Sequence, residues 1–392
     1  MNQAYIVAAR RTAGGRRKGR LAGWHPVEMA ARIIDALMAD LQADPALVDD
    51  VIMGCVSQIG EQSTNVGRNA VLASCLPESV PGTSVDRQCG SSQQAVHFAA
   101  QAVMSGAMDM VIAAGVESMT RVPMGSPVSL AQQAGFGHHQ SAAIMARYGQ
   151  QIFSQFTGAE MMARKYGLTR ADLDAYALES HRRGAATTQA GHFATEILPL
   201  PVLDADGQPS GDLHAVDEGI RFDASASAMA AMAPLQDSGL LTAASASQMC
   251  DGAAGVVIVN ERGLAQLNVE PLARIHHMTV LGHDPAIMLE APIPATRLAL
   301  QRAGMRLDDI SLYEVNEAFA SIPLAWQQAL NADPDRMNAW GGAIALGHPL
   351  GATGAKLMTT LVHALRRQGG RYGLQTMCEG GGLANVTVIE RL

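Results

Sequence analysis

Apolar positions along this chain keep two rhythms in a repeating order. Ala4–Ala9 is a short unbroken apolar run, the pattern of a buried strand. Met29–Leu41 carries its apolar residues at helical spacing. Leu47–Met53 follows, where the pair Asp49-Asp50 opens a β-like apolar stretch. Ala95–Met104 is helical again, and Met110–Gly115 reads as another strand. The same order returns as helical Thr296–Ala303, Arg306–Leu312 with its own pair Asp308-Asp309, helical Ala355–Leu365 and strand-like Tyr372–Met377. Ile310 follows Val51 by 259 residues, and His348 follows Cys89 by the same 259.

This repetition predicts an α/β protein of two related halves, each about 120–130 residues, with mixed or parallel sheets covered by helices. The halves are expected over 1–262 and 270–392, the first holding an inserted loop domain at about 119–248. Within the insertion, Arg121–Gln140 has weak periodicity and is expected as an extended loop. Ala159–Ala185 has helical spacing, with Thr169 as a helix cap. An insertion of this size carries binding surface. No linker separates the halves, so they should pack as one body. Cys89 and His348 would then begin equivalent helices, with both N-termini brought to one central region. Free N–H groups and the positive dipole end favour a thiolate and an oxyanion there.

Composition narrows the class. The chain is 48% hydrophobic and 16% charged but only 4% aromatic, which suits closely packed helices on sheets. A net charge of −8 excludes an extended nucleic-acid footprint. The one dense basic run, Arg16-Arg17-Lys18-Gly19-Arg20, is either a solvated loop or a patch for an anionic ligand or partner subunit. Five cysteines without a CxxC pair argue against a disulfide framework and against a metal site, and for reduced thiols in a cytoplasm. No apolar run is long enough to span a membrane. Ala4–Ala9 is too short for a secretory signal core, and Glu390-Arg391-Leu392 is not a peroxisomal ending.

Reactive side chains gather in four segments: Asp86–Ser91, Val315–Phe319, Gly347–Gly351 and Cys378–Gly382. Cys89 stands between strand-like Thr83–Asp86 and a helix, where a helix N-terminus should lower its pKa. His348 lies in a stretch, Gly341–Gly354, with five glycines in fourteen residues, so backbone must approach something closely. That stretch lacks a phosphate-loop pattern, and a histidine there fits a general base. Cys378 precedes Gly380-Gly381-Gly382, whose unobstructed N–H groups suit an oxyanion hole. Asn316 could hold a water or a carbonyl oxygen, or cap a helix beginning at Glu317.

In order and spacing, these segments resemble the nucleophile, Asn-Glu-Ala-Phe, Gly-His-Pro-x-Gly and Cys-x-Gly-Gly-Gly motifs of the thiolase family. Ala4–Thr12 and Gly115-Val116-Glu117-Ser118-Met119 match as well, so the likeness covers the whole chain. The resemblance implies a layered α-β-α-β-α body and ping-pong thiolytic cleavage of 3-oxoacyl-CoA to acetyl-CoA and a shortened acyl-CoA. Cys89 would be the nucleophile, His348 its base and Cys378 the second acid-base. The N–H groups of Cys89 and Gly380 would form one oxyanion hole, and His348 with a water on Asn316 the other. Ser247 would meet the pantetheine and Arg221 the CoA nucleotide, unless Arg221 is a surface ion pair. Coenzyme A and acyl-CoA would be substrates, with no permanently bound cofactor. The resemblance also implies a homodimer or homotetramer through a loop near 121–140, and partner enzymes of β-oxidation.

Three departures bear on specificity. Ser92 stands where the family usually has glycine, and Glu379 where it has a small or apolar residue; its carboxylate is expected to point away. Phe153–Gly158 lacks the His-Met pair of short-chain biosynthetic thiolases, implying a degradative enzyme with a roomier acyl site. Gly54–Gln58 and Cys89–Gln94 further resemble thiolases that shorten steroid side chains. The alternatives are an acetoacetyl-CoA thiolase run in the condensing direction, a ketoacyl synthase, and a non-catalytic acyl-CoA- or sterol-binding relative. Cys378 in its glycine-rich setting speaks against the synthase, and four intact candidate residues against the binding relative.

Overall fold

The computed structural model describes residues 2–149, 152–204 and 206–392. Its strands are β1 (Tyr5–Thr12), β2 (Gly15–Arg16), β3 (Asp50–Gly54), β4 (Gly82–Val85), β5 (Met110–Ser118), β6 (Ile197–Leu198), β7 (Leu200–Leu203), β8 (Pro209–His214), β9 (Cys250–Val259), β10 (Ala273–Gly282), β11 (Leu312–Val315), β12 (Tyr372–Glu379) and β13 (Leu383–Arg391). The main sheet runs β11-β12-β13-β10-β1-β9-β5-β3-β4, while β7 and β8 form a separate hairpin.

The duplication shows in the pairing. In the first half β4, β3 and β5 are parallel, and β9 and β1 then follow antiparallel. In the second, a parallel bridge from Met337 to Tyr313 stands in for β4, β11 and β12 are parallel, and β13 and β10 follow antiparallel. The halves join where β1 meets β10, through Tyr5–Arg274 and Ile6–Ala273.

Strand alternation explains why these segments read as unbroken apolar runs. Along β5, Met110, Ile112 and Ala114 pack with the outer helix Pro26–Leu41. Val111 and Ala113 face the other way, into the core of the central helices Ser91–Ser105 and Thr353–Gln368. A third core packs β11, β12 and β13 against the outer helices Pro292–Ala303 and Ser321–Leu330. The result is helix, sheet, paired central helices, sheet and helix.

The central helices meet at their N-terminal ends. Ser92 Oγ accepts from the Ala355 N–H at 2.9 Å. A Cβ on Gly354 would lie 2.2 Å from the Gln93 nitrogen, so only glycine permits this approach. The convergence expected of the duplicated halves is therefore present, but its register differs. Ser91 and Thr353 begin the central helices, Asp50 and Leu312 begin β3 and β11, and Met110 and Tyr372 begin β5 and β12. Each pair is 262 residues apart, not 259. Cys89 thus corresponds to Gly351, and His348 lies three residues earlier. The apparent offset came from a slipped match: Asp308-Asp309 lies inside a short 3₁₀ turn, whereas Asp49-Asp50 follows the equivalent turn Pro45–Leu47.

Two further expectations are corrected. Arg121–Gln140 is not wholly extended, because Ser126–Gln133 is helical with proline in its first turn. Asn316 does not cap a helix, since the next helix begins at Ser321. Thr169 does cap Arg170–Gln189, in a reciprocal capping box with Asp172.

Candidate active site

The segment after β4 reverses at Gln88, whose φ of 50° puts it in the left-handed region. Asp86 Oδ1 holds the turn by accepting from the Gln88 N–H at 2.7 Å. Cys89 follows, half-buried, two residues before the helix. The Cys378 segment packs directly on this turn. A Cβ on Gly380 would come within 2.8 Å of Gln88 Oε1, and one on Gly90 within 1.9 Å of Glu379 Oε1. Among the described residues, the backbone N–H groups of Cys89 and Gly380 donate to no backbone carbonyl.

The surroundings of the Cys89 thiol favour its protonated form. Burial pushes its pKa up to about 12, with the Glu379 charge adding to the rise and its own backbone N–H opposing it. Cys89 lies outside the first helical turn, where dipole stabilisation acts, and desolvation dominates. Cys378, fully buried, is raised well above the usual thiol range by burial and then by Cys89 and Glu379. Glu379 does not point away. It is 0% exposed, its carboxyl lies against Gly90, and neither oxygen has a hydrogen-bond partner.

His348 is held in one tautomer. Thr353 Oγ1 donates to the Pro349 carbonyl at 2.8 Å, so its only proton is committed. It must accept from His348 Nδ1, 2.6 Å away. Nε2 is left as the acceptor nitrogen, and Asn316 Nδ2 donates to it at 3.4 Å. Asn316 Oδ1 is buried without a partner. Burial first, and the Lys356 charge second, push His348 down to about 3, so the ring is a neutral proton acceptor.

The scaffold of this loop went unnoticed in the sequence. Lys356 Nζ donates to the Leu346 carbonyl and sits 3.4 Å from Asp217, which also takes Arg11 at 2.9 Å. Glu117 accepts from the N–H groups of Val56, Ser57 and Gly351 and from Gln62 Nε2, fastening the His348 loop to the first half. Glu317 does the same for the insertion, accepting from Tyr176, Ser180, Asn338 and the Ile344 N–H. Glu117 carried a usable signal: it is the one charge in the otherwise apolar strand Met110–Ser118.

A cavity of about 750 Å³ opens beside the site, with His348, Ala318, Phe319, Ser247, Met249 and Arg221 on its wall. Ser247 is fixed by its N–H to the Ala318 carbonyl at 2.9 Å. Arg221 makes no ion pair among the described residues. Arg16 and Arg17 line the same cavity, so the basic run meets it as well. Cys89, Cys378 and Asn316 are not among its lining residues. The arrangement supplies a neutral base, two thiols, an orphaned amide oxygen and unpaired backbone donors, the parts of acyl transfer through a thioester.

The chain belongs to the thiolase family. Residues 4–262 match the family model for the thiolase N-terminal domain, and 269–391 that for the thiolase C-terminal domain. It is 50% identical over 394 residues to the steroid 3-ketoacyl-CoA thiolase FadA6 of Mycobacterium tuberculosis, covering 100% of this chain and 95% of that protein. It is 40% identical over 399 residues to a 3-ketoacyl-CoA thiolase of Erwinia tasmaniensis, and 39% identical to one of Cronobacter sakazakii, covering 100% of each chain.

Proposed function

We propose that this protein cleaves 3-oxoacyl-CoA thioesters with CoA, in the degradative direction. The observation that carries this reading is the convergence of both thiol segments on one turn, in a protein whose His348 presents Nε2 as the unprotonated ring nitrogen. Because Cys89 rests as a thiol and His348 as neutral imidazole, proton transfer accompanies attack on the substrate and does not precede it.

Cys89 Sγ bonds to C3 of the substrate as its proton passes to His348. The resulting oxyanion takes the N–H groups of Cys89 and Gly380. The C2–C3 bond then breaks, its electron pair forming the enolate of acetyl-CoA. The enolate oxygen is stabilised by His348 and by a water on Asn316 Oδ1, and Cys378 protonates C2. A second CoA gives its thiol proton to Cys378 and attacks the acyl-cysteine. Cys89 leaves and recovers its proton from His348. Ser247 and Arg221 guide the CoA along the cavity wall.

The likeness to FadA6 supports a steroid-type acyl group over a four-carbon one. The exposed Leu130 and Phe136 support oligomer contacts through the 121–140 segment. Among the described residues no helix is long and apolar enough to cross a membrane, and reduced thiols suit a cytoplasmic enzyme. A 3-hydroxyacyl-CoA oxidation would supply its substrate. The test is thiolysis by Cys89→Ala across 3-oxoacyl-CoAs from four carbons to steroid-sized groups. Turnover should vanish while CoA still binds; retained turnover overturns the nucleophile, and a strong four-carbon preference in the wild type overturns the acyl class.

A further inference from the structure

The basic run Arg16–Arg20 is the one feature of the sequence that the mechanism leaves unused. A run of exposed cations is ordinarily a loosely held, solvated loop. Here its backbone is tied almost residue by residue. The Gly14 N–H donates to Asp217 Oδ1 at 2.6 Å. The Arg16 and Arg20 N–H groups share Glu218 Oε2, at 3.1 and 2.9 Å. The Arg17 N–H donates to the Met249 carbonyl at 3.3 Å, and the Lys18 N–H to Thr120 Oγ1 at 2.7 Å. Gly15 and Arg16 also pair with Asp251 and Cys250, as β2 on β9. A Cβ on Gly19 would run into Glu218 Oε2, so the turn is built around glycine. The nearby acids are thus occupied by main chain, and the guanidinium groups are left over. Among the described residues Arg17 makes no side-chain hydrogen bond or ion pair, and Arg16 reaches Glu218 only at 3.6 Å.

Both arginines lie on the wall of the large cavity. With Arg221 they make three guanidinium groups there against one carboxylate, Asp223, in a chain whose net charge is −8. A concave surface carrying one sign of charge concentrates ligands of the other. Arg17 bonds to Met249, and Met249 bridges to His348. The two backbones are therefore two strand spacings apart, about 10 Å, which brings the basic run to the reacting end of the cavity. We propose that Arg16 and Arg17 form an anion site for the bound thioester. It takes a charged oxygen group, either a phosphate of CoA or a carboxylate at the far end of the acyl chain. Guanidinium suits both, because its fork of donors matches two oxygens of one anion. Arg221 comes from the insertion and these two from the N-terminal loop, so the cavity carries cations from two separate parts of the chain. The inference deepens the thiolase reading above and rests on it for the identity of the ligand.

The test has two arms, each comparing wild type with the double variant Arg16→Gln/Arg17→Gln. One arm measures the binding of CoA by calorimetry. The other measures kcat/KM for two 3-oxoacyl-CoAs of equal length, one ending in a methyl group and one in a carboxylate. A partly exposed ion pair is worth roughly two- to fivefold, so losing both arginines should cost about tenfold. CoA bound about tenfold more weakly identifies a phosphate as the group held. Unchanged CoA binding, with an about tenfold fall in the preference for the carboxylate-ended substrate, identifies the acyl carboxylate. Either loss should shrink in about 1 M salt and be largely restored by Arg16→Lys/Arg17→Lys. Both quantities at wild-type values would overturn the proposal and leave the run merely solvated. Neither guanidinium donates a hydrogen bond, so the urea midpoint should hold. If the double variant does not fold, Arg17→Gln alone is read for its roughly two- to fivefold share. A wild type that cleaves no 3-oxoacyl-CoA would sink the thiolase reading, while the calorimetric arm, which needs no turnover, would still judge the arginines.

Discussion

Replacing Thr353 by valine tests the orientation of His348 most directly. Thr353 is 1% exposed, and its hydroxyl donates to Pro349 at 2.8 Å and accepts from His348 Nδ1 at 2.6 Å. Valine keeps the shape and removes both bonds. The Nδ1–H and the Pro349 carbonyl are then buried without partners, at about 1–3 kcal/mol each, so stability should fall by about 2–6 kcal/mol. The tautomer bias falls with it. A hydrogen bond of about 1–1.5 kcal/mol selects the form with Nε2 free, and its loss corresponds to roughly a tenfold change in population. Steady-state thiolysis should show kcat reduced about tenfold with KM little changed, because the perturbed group acts on the nucleophile's proton. Thr353→Ser, which retains the hydroxyl, should recover most of the rate. A folded Thr353→Val enzyme with wild-type kcat would refute the tautomer argument.

Two other outcomes follow from the packing and the buried rings. Gly90→Ala brings a Cβ to 1.9 Å from Glu379 Oε1, so it should cost about 1–3 kcal/mol by urea denaturation and displace Cys89. That cost should shrink in a Glu379→Ala background, and strict additivity would show that the two do not touch. His97, buried against Thr387 and Asn385, is pushed down to about 3, chiefly by burial. The unfolded chain therefore binds its proton first as pH falls below about 6.5, and the stabilisation present above that pH is lost progressively toward pH 3. The stability of wild type relative to His97→Gln should drop by about 2 kcal/mol between pH 7 and pH 5, and a constant difference would contradict a neutral buried ring.

Much of the fold could be read from single positions, because strand and helix rhythms record which faces are buried. The alternation in Met110–Ala114 and the helical spacing of Met29–Leu41 are properties of the chain's own periodicity. The four reactive segments were equally legible, since glycine beside cysteine and histidine has few other uses. Register between the halves was not. Asp308-Asp309 and Asp49-Asp50 look alike as letters, but one lies within a turn and the other after it, and only the backbone tells them apart.

The sequence by itself determined which elements form, which side chains are available for chemistry and the repeat that brings two helix ends together. The tertiary structure alone decided their state. Glu379 turns inward because Gly90, 289 positions earlier in the chain, leaves it room. Cys89 rests as a thiol because burial outweighs the nearby helix end, and His348 exposes Nε2 because Thr353 has already committed its proton to Pro349. Local sequence sets backbone preference and polarity. Desolvation and proton placement depend on which distant groups arrive beside a residue once the chain has folded.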